Sequence, residues 1–279
     1  MVVLVRYGEL ALKSAYVRRQ LEDRLAANVR EMFAANSAQC IVRGERGRLF
    51  VHADDESAAV RLLRRVFGIV SISPARESTS DLEALTRDVV AYAKGVLAAG
   101  QTFAIRPRRS GNHAYTSQDL ARTLGRAVQD AIPGADVDLN EPDREVHVEV
   151  RGPRAYVFHE IVDGPGGLPL GSQGEALAVS EDERGMVATW LVMRRGCRVR
   201  VAGREPFLGA LKHWNPGLQT LSVPPSELRD LATTKGIPFV LASLPETPSE
   251  EMGQALLLWP LVGLSTDEVR GLAQMMQTV

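Results

Sequence analysis

Cysteine is almost absent from this chain. Only Cys40 and Cys197 occur among 279 residues, far apart and each inside an apolar strand-like run, so neither a disulfide framework nor a CxxC site can be built from them. Net charge is equally scarce: 33 Lys and Arg stand against 34 Asp and Glu, a formal charge of -1. That balance excludes a domain that holds nucleic acid by bulk charge and leaves only local basic patches. Long apolar runs are missing too, none approaching the ~18 residues of a membrane helix. The apolar start, Met1 to Val5 before Arg6, is too short for a signal peptide, so a cytoplasmic protein without a membrane partner is expected. The five histidines show no metal-ligand spacing, and no metal site is expected. No G-x-G-x-x-G motif opens a helix, which argues against a Rossmann methyltransferase.

What is present is an ordinary globular composition, 45% hydrophobic and 24% charged, in a chain long enough for two or three domains. Val2 to Val5 reads as a strand. From Tyr16 to Phe33 the apolar residues Val17, Leu21, Leu25, Val29, Met32 and Phe33 recur at three and four, the spacing of one buried helical face, while Arg18 and Arg19 lie on the other. Strands over Gln39–Arg43 and Gly47–Ala53, a helix over Glu56–Phe67 and a strand over Ile69–Ala75 follow. The order β-α-β-β-α-β predicts a ferredoxin-like unit with two helices on one face of an antiparallel sheet.

Ser80 and Glu83 have capping-box spacing ahead of a helix with Leu82, Leu85, Val89, Tyr92 and Val96 on its apolar face. The strand Thr102–Arg106 leads into Pro107, Arg108, Arg109, Ser110, Gly111, Asn112 and His113. This stretch holds Arg106, Arg108 and Arg109 and no acid. Arginine's planar fork pairs bidentately with phosphate, so these residues with His113 are candidates for contact with an RNA backbone; a solvated surface run is the plainer alternative. Thr116 and Asp119 cap the next helix. Val146, Val148 and Val150 alternate in a strand that turns at Gly152 and Pro153 into Ala155–Val162. A glycine- and proline-rich stretch, Asp163 to Gly171, forms a linker.

The third unit alternates strands (Ala176–Val179, Cys197–Ala202, Gln219–Val223, Ile237–Ala242) with helices (Met186–Arg195, near Leu228, near Ala255), which predicts a mostly parallel sheet. Thr247, Pro248 and Glu250 mark one helix start, and Ser265 with Glu268 another. At the first strand-to-helix junction, where α/β nucleotide-binding domains usually carry a phosphate loop, stand Ser180, Glu181, Asp182, Glu183, Arg184 and Gly185.

Several ordered segments carry a family resemblance: Arg6-Tyr7-Gly8-Glu9-Leu10 with Lys13, Val66-Phe67-Gly68-Ile69, Phe103-Ala104-Ile105-Arg106 with Arg109, and Gly166-Gly167-Leu168-Pro169-Leu170-Gly171. Together they resemble the tRNA 4-thiouridine synthase (ThiI-like tRNA sulfurtransferase) family from residue 1 to about 200, and again at Trp259-Pro260-Leu261-Val262-Gly263. The resemblance implies a ferredoxin-like domain (1–78), a THUMP RNA-binding domain (79–165) and a reduced ATP-pyrophosphatase domain of the PP-loop type (172–279). It adds Arg6, Lys13, Arg18 and Arg19 as candidate RNA contacts, tRNA as partner, and a separate sulfur-transfer protein and a homodimer as further associations.

The family's ATP loop reads Ser-Gly-Gly-x-Asp-Ser ahead of a helix that ends in Lys/Arg-Arg-Gly. Met193-Arg194-Arg195-Gly196 sets the register. Ser180 falls on the first Ser, Glu181 and Asp182 replace the glycines, Arg184 replaces the Asp, and Gly185 replaces the last Ser. A phosphate loop needs glycine backbone to close on the anion. Carboxylates repel a triphosphate instead, by about 2.8 kcal/mol per pair of unit charges at ~6 Å and an effective dielectric of ~20. Neither cysteine matches the family's sulfur-carrying position; both read as buried, inert thiols. The expectation is a tRNA-binding THUMP protein with no cofactor and no ATP-dependent catalysis. The alternative is an active tRNA sulfurtransferase that uses ATP and Mg²⁺ in an unorthodox site.

Overall fold

The structure is a computed structural model that describes residues 1–8, 14–45, 47–242 and 256–278. By its contacts the chain forms two units, Met1–Leu4 with Ser73–Val162, and Val5–Ile72 with Asp163–Val279. Lys13, Arg46, the helix start at Thr247 to Glu250 and the helix near Ala255 lie outside the described residues.

The first segment runs β1 (Val2–Tyr7), α1 (Ala15–Ala35), β2 (Ile41–Glu45), β3 (Arg48–His52), α2 (Glu56–Leu63) and β4 (Ile69–Thr79), with strand order β2-β3-β1-β4. This is the ferredoxin-like arrangement. Helix α1 buries Leu21, Leu25, Val29, Met32 and Phe33, the stripe read from their spacing, except that Val17 in the first turn is exposed. Helix α2 starts at Asp55, whose side chain accepts from the Ala58 amide at 2.9 Å. It ends at Leu63, short of the predicted Phe67. Beyond it the backbone tightens to i→i+3 bonds, Arg65 N to Leu62 O and Val66 N to Leu63 O, both 3.1 Å, the usual way a helix end satisfies its last carbonyls.

The second segment comprises α3 (Leu82–Val96), β5 (Thr102–Ser110), α4 (Ser117–Ala131), β6 (Asp136–Val137), β7 (Arg144–Arg151), β8 (Arg154–Phe158) and β9 (Val162–Asp163). Strands β8, β7, β5 and β6 are neighbours in that order, and Arg76–Thr79 of β4 pairs with β8. Helices α3 and α4 cover one face. Leu85, Val89, Leu120, Leu124 and Val128 pack there on Phe103, Ile105, Val146, Val148 and Val150. The Thr116–Asp119 capping box is formed. The one expected at Ser80 and Glu83 is not: Asp81 caps α3 by accepting from the Ala84 amide at 2.9 Å, and Glu83 pairs with Arg87 at 2.7 Å. An aspartate one residue later outcompetes the serine because its charged oxygen binds the amide more strongly.

The third segment contains β10 (Glu175–Ser180), α5 (Glu183–Arg194), β11 (Arg198–Gly203), α6 (Phe207–Trp214), β12 (Gln219–Thr220), α7 (Pro225–Lys235), β13 (Phe239–Val240), β14 (Leu257–Leu258) and α8 (Thr266–Thr278). The sheet has the order β12-β11-β10-β13-β14, and every pairing is parallel. The order reverses between β10 and β13, the switch point at which doubly wound folds open a crevice. The core of this sheet takes in Trp190, Trp214 and Met193, and with them Phe67 from the turn between α2 and β4. The ferredoxin-like helices and the parallel sheet therefore share buried side chains. Among the described residues no helix is long and apolar enough to cross a membrane.

Candidate functional site

Strand β5 runs to Ser110, past the expected end at Arg106. Its register with β7 continues through Arg108↔Glu149 and Ser110↔Arg151. Pro107 is tolerated because β6 pairs only with Thr102 and Phe103, which leaves the far edge of β5 without a ladder and without need of the missing N–H. This extension divides the arginines. Side chains alternate along a strand, and Phe103 and Ile105 face the helices. Arg109 therefore lies on the helix side, and Arg106 with Arg108 on the other.

The arginines differ in their commitments. Arg106 Nε donates to Glu145 Oε1 at 2.7 Å and Nη2 to the Leu139 carbonyl at 2.9 Å, so much of its charge is spent inside the fold. Arg108 is exposed and has no ion-pair or hydrogen-bond partner among the described residues. Arg109 is exposed and donates to the Gly111 carbonyl at 3.2 Å. Beside it, His113 contacts the Gly152 carbonyl through Nε2 at 2.8 Å, which makes that nitrogen the donor, and its ring stacks on Tyr115 at 5.6 Å and 21°. Tyr115 in turn donates to the Ser80 carbonyl at 2.7 Å. Burial pushes the Tyr115 phenol up, and the Arg109 charge opposes that shift. The result is an exposed turn, Ser110 to Asn112, flanked by Arg108 and Arg109 and braced by a stacked His–Tyr pair. Such an arrangement can offer charge-assisted hydrogen bonds and a flat ring to a polyanion.

In the other unit, Arg6 is half-buried on β1 and engaged by neighbouring groups. Arg19 is exposed on α1, and Arg18 lies 3.9 Å from Glu22. Lys13 lies outside the described residues. A basic set that sequence reasoning missed follows α2: Arg61, Arg64 and Arg65. Its signal was the spacing i, i+3, i+4 opposite the apolar Leu62, Leu63 and Val66.

The acidic junction sits at the carboxyl end of β10, beside the switch point. Asp182 is the N-cap of α5, and its Oδ1 accepts from the Gly185 amide at 2.7 Å. The helix end thus holds a carboxylate from its own chain where a phosphate loop would hold a ligand. Ser180 is fully buried. Its hydroxyl lies 2.9 Å from Thr189 Oγ1, and Thr189 donates to the Gly185 carbonyl at 2.7 Å. Gly185 is needed for close approach: a Cβ there would meet the Val179 carbonyl oxygen at 2.6 Å. Arg184 reaches the Ala242 carbonyl beyond β13 at 3.4 Å, a long contact across the crevice. Arg204 Nε donates to the Glu181 carbonyl at 2.8 Å. The side chains of Glu181, Asp182 and Glu183 are exposed. Cys40 and Cys197 are half-buried rather than fully buried. Burial raises the pKa of both thiols, and for Cys40 the Arg30 charge works against the rise.

Residues 2–73 match the family model of the ThiI ferredoxin-like domain and residues 79–160 that of the THUMP domain. Fold and matches together define a THUMP protein whose two leading domains precede a parallel-sheet domain. The curated "Probable tRNA sulfurtransferase" of Methanothermobacter thermautotrophicus is 39% identical over 216 residues, 75% of this chain and 54% of that protein. That of Methanosarcina acetivorans is 43% identical over 204 residues, 71% of this chain and 49% of that one. The chain belongs to the ThiI-like tRNA sulfurtransferase family, and it spans about half the length of these relatives. The crystal structure of PH1313 from Pyrococcus horikoshii matches with a TM-score of 0.83 and 26% identity over 99% of both chains. A 4-thiouridine synthetase–RNA complex with bound ATP matches with a TM-score of 0.80 at 20% identity, over 99% of this chain and 84% of that one, a likeness of fold alone.

Proposed function

We propose that this protein is a cytoplasmic tRNA-binding member of its family, working without ATP-dependent catalysis alongside a separate sulfur-transfer protein. The observation that carries the reading is the Asp182 carboxylate at the start of α5, bonded to the Gly185 amide at 2.7 Å. The residues there do not fit a triphosphate: the anion position is filled, Glu181 and Glu183 add like charge on either side, and Ser180 is turned inward to Thr189. No catalytic step is assigned to this loop. RNA contact falls to Arg108, Arg109 and His113 in the THUMP domain, with Arg106 secondary, and to Arg6, Lys13, Arg18 and Arg19 in the ferredoxin-like domain. Shape and phosphate contacts of this kind suit a structured RNA and weaken steeply with salt.

The second reading, a working sulfurtransferase, is favoured by the names of the relatives. Two measurements decide between them. Calorimetry with ATP and Mg²⁺ on the wild type and on Glu181→Gly/Asp182→Gly is expected to show no binding to the former. ATP-to-AMP turnover in the presence of tRNA and a sulfur donor would overturn the non-catalytic reading. Loss of tRNA binding in Arg108→Ala/Arg109→Ala is expected, and unchanged binding would remove these arginines as the RNA contact.

A further inference from the structure

We propose that a cavity between the C-terminal half of α1 and the turn from α6 to β12 binds a free α-amino acid with a bulky apolar side chain. Its occupancy does not depend on the tRNA-binding reading above.

The cavity has two compartments. The larger, of about 400 Å³, is walled by Met32 of α1, Val66 and Phe67 from the turn after α2, Leu170 of the linker and Trp214 at the end of α6. The smaller, of about 80 Å³, lies against the start of β11. Glu31, Leu170, Asn215 and Gly217 line both, so the two adjoin. The apolar walls are fixed by the core: Met32, Val66, Phe67 and Trp214 are all buried, and Phe67 stacks on Trp214 at 5.6 Å. A recess that is already formed takes up an aliphatic or aromatic side chain without the cost of ordering its own walls.

The charges decide the ligand. Glu31, Glu175, Arg198 and Arg200 line the smaller compartment. Arg200 Nη2 lies 3.4 Å from Glu175 Oε2, so these two offset each other. Glu31 and Arg198 are exposed, and neither side chain has an ion-pair or hydrogen-bond partner among the described residues. One charge of each sign is thus left over. Arg198 lies over the linker at Gly171, where a Cβ would stand 2.7 Å from its Nε. Asn28 adds an acceptor: its Nδ2 donates to the Leu170 carbonyl at 3.1 Å, which leaves Oδ1 buried without a partner among the described residues. A buried polar atom of this kind calls for a donor. A ligand that answers one carboxylate, one guanidinium and an apolar recess carries an ammonium, a carboxylate and an apolar side chain, which is the constitution of an α-amino acid. The Arg198 fork suits the carboxylate, and Glu31 and Asn28 accept from the ammonium. A nucleotide fits less well, because Glu31 and Glu175 oppose its charge.

The test is calorimetry and thermal unfolding of the full chain with L-phenylalanine, L-leucine and glycine, and with N-acetyl-L-phenylalanine and L-phenylalaninamide, each of which lacks one of the two charges. Phenylalanine and leucine are expected to raise the melting temperature increasingly with concentration, and glycine to leave it unchanged. Removing either charge from the ligand, or substituting Glu31→Gln or Arg198→Gln, is expected to weaken binding about tenfold. The variants also pair with the ligands: Glu31→Gln should no longer separate phenylalanine from its N-acetyl form, nor Arg198→Gln phenylalanine from its amide. Both positions are exposed, and circular dichroism checks that each variant keeps its fold. Absence of binding by phenylalanine and leucine at about 10 mM would overturn the site. Binding of the amide as tight as that of phenylalanine would overturn the free amino acid in favour of a peptide N-terminus, and glycine binding as tight as phenylalanine would remove the apolar recess from the site.

Discussion

Replacing Phe67 by alanine tests whether the ferredoxin-like segment and the parallel-sheet domain are held by one core. Phe67 is 1% exposed. Its ring meets Trp214 in a stack at 5.6 Å and 25° and Trp190 edge-on at 5.6 Å and 63°, while the two tryptophans meet each other at 5.3 Å and 82°. A buried Phe→Ala change costs ~3–5 kcal/mol, of which each ring pair contributes ~0.5–1.5 kcal/mol beyond its buried area. With a urea slope of roughly 2.5 kcal/mol per M, a loss of ~4 kcal/mol lowers the unfolding midpoint by about 1.6 M. Tryptophan fluorescence reads the change directly, since Trp190 and Trp214 border the new cavity. Phe67→Leu keeps an apolar body without the ring, and its cost should be under ~1.5 kcal/mol plus the lost ring terms. A midpoint shift below ~0.3 M in Phe67→Ala would refute the shared core. So would a ferredoxin-like transition that stays separate and unshifted.

Gly185→Ala places a Cβ 2.6 Å from the Val179 carbonyl oxygen. Because that atom is backbone and cannot swing away, a loss of ~1–3 kcal/mol is expected in thermal melting; an unchanged melting temperature would contradict the close packing of α5 on β10. Asp182→Ala removes the cap from the Gly185 amide and should cost ~1 kcal/mol in the same assay. Arg106→Ala should weaken tRNA binding less than Arg108→Ala, because Glu145 already holds the Arg106 guanidinium at 2.7 Å; equal losses in a filter-binding assay would show that this ion pair opens on binding. Burial raises both thiol pKa values, so less thiolate is present at pH 8 than in a free cysteine, and alkylation by iodoacetamide should be slow there and accelerate as pH rises past the ordinary thiol range. Alkylation at pH 8 as fast as that of free cysteine would refute this.

The long periodic elements were legible because their spacing alone decides which face is buried. Leu21, Leu25, Val29 and Met32 on α1 and Leu120, Leu124 and Val128 on α4 are buried as their positions require. Helix α6 was not legible: it begins at Phe207 with no side-chain cap, and its eight residues carry too little pattern to stand out. The strands β12 and β13 are two residues each, where apolar runs suggested five and six. Hydrophobic runs report burial, whereas a ladder needs a neighbour in register. The arginines near Pro107 read as one cluster in a loop. The structure makes them part of a strand, and period-two alternation sends Arg109 to one face and Arg106 with Arg108 to the other. That division depends on β7 lying alongside, which no local pattern encodes. The acidic stretch was read as a strand-to-helix junction with the helix from Met186; α5 begins three residues earlier, at Glu183, because Asp182 caps it. The inward turn of Ser180 toward Thr189 was not legible, because it joins residues nine apart across a strand and a helix.

The linker at residues 164–171 holds the far end of α5 independently of whatever the junction at Ser180–Gly185 binds. The linker is bonded on both sides within one unit. Gly68 N donates to the Gly166 carbonyl and Leu168 N to the Arg194 carbonyl, at 2.8 and 2.9 Å, and Asn28 Nδ2 donates to the Leu170 carbonyl at 3.1 Å. Gly167, at φ 76°, lies so close to the Arg194 carbonyl that any side chain would collide with it. The end of α5 is thus fastened to the ferredoxin-like helices through backbone, and Phe67 fastens the same pieces through the core. Changing the exposed carboxylates at the start of α5 disturbs none of these bonds, whereas deleting the domain would expose Phe67, Val66 and Met32 together. Nucleotide chemistry at one end of α5 can therefore be lost without consequence for the packing at the other. The same geometry requires that a truncation at Gly171 lower the stability of the ferredoxin-like segment far more than any substitution at Glu181 or Glu183, a comparison that urea unfolding of the two variants would decide.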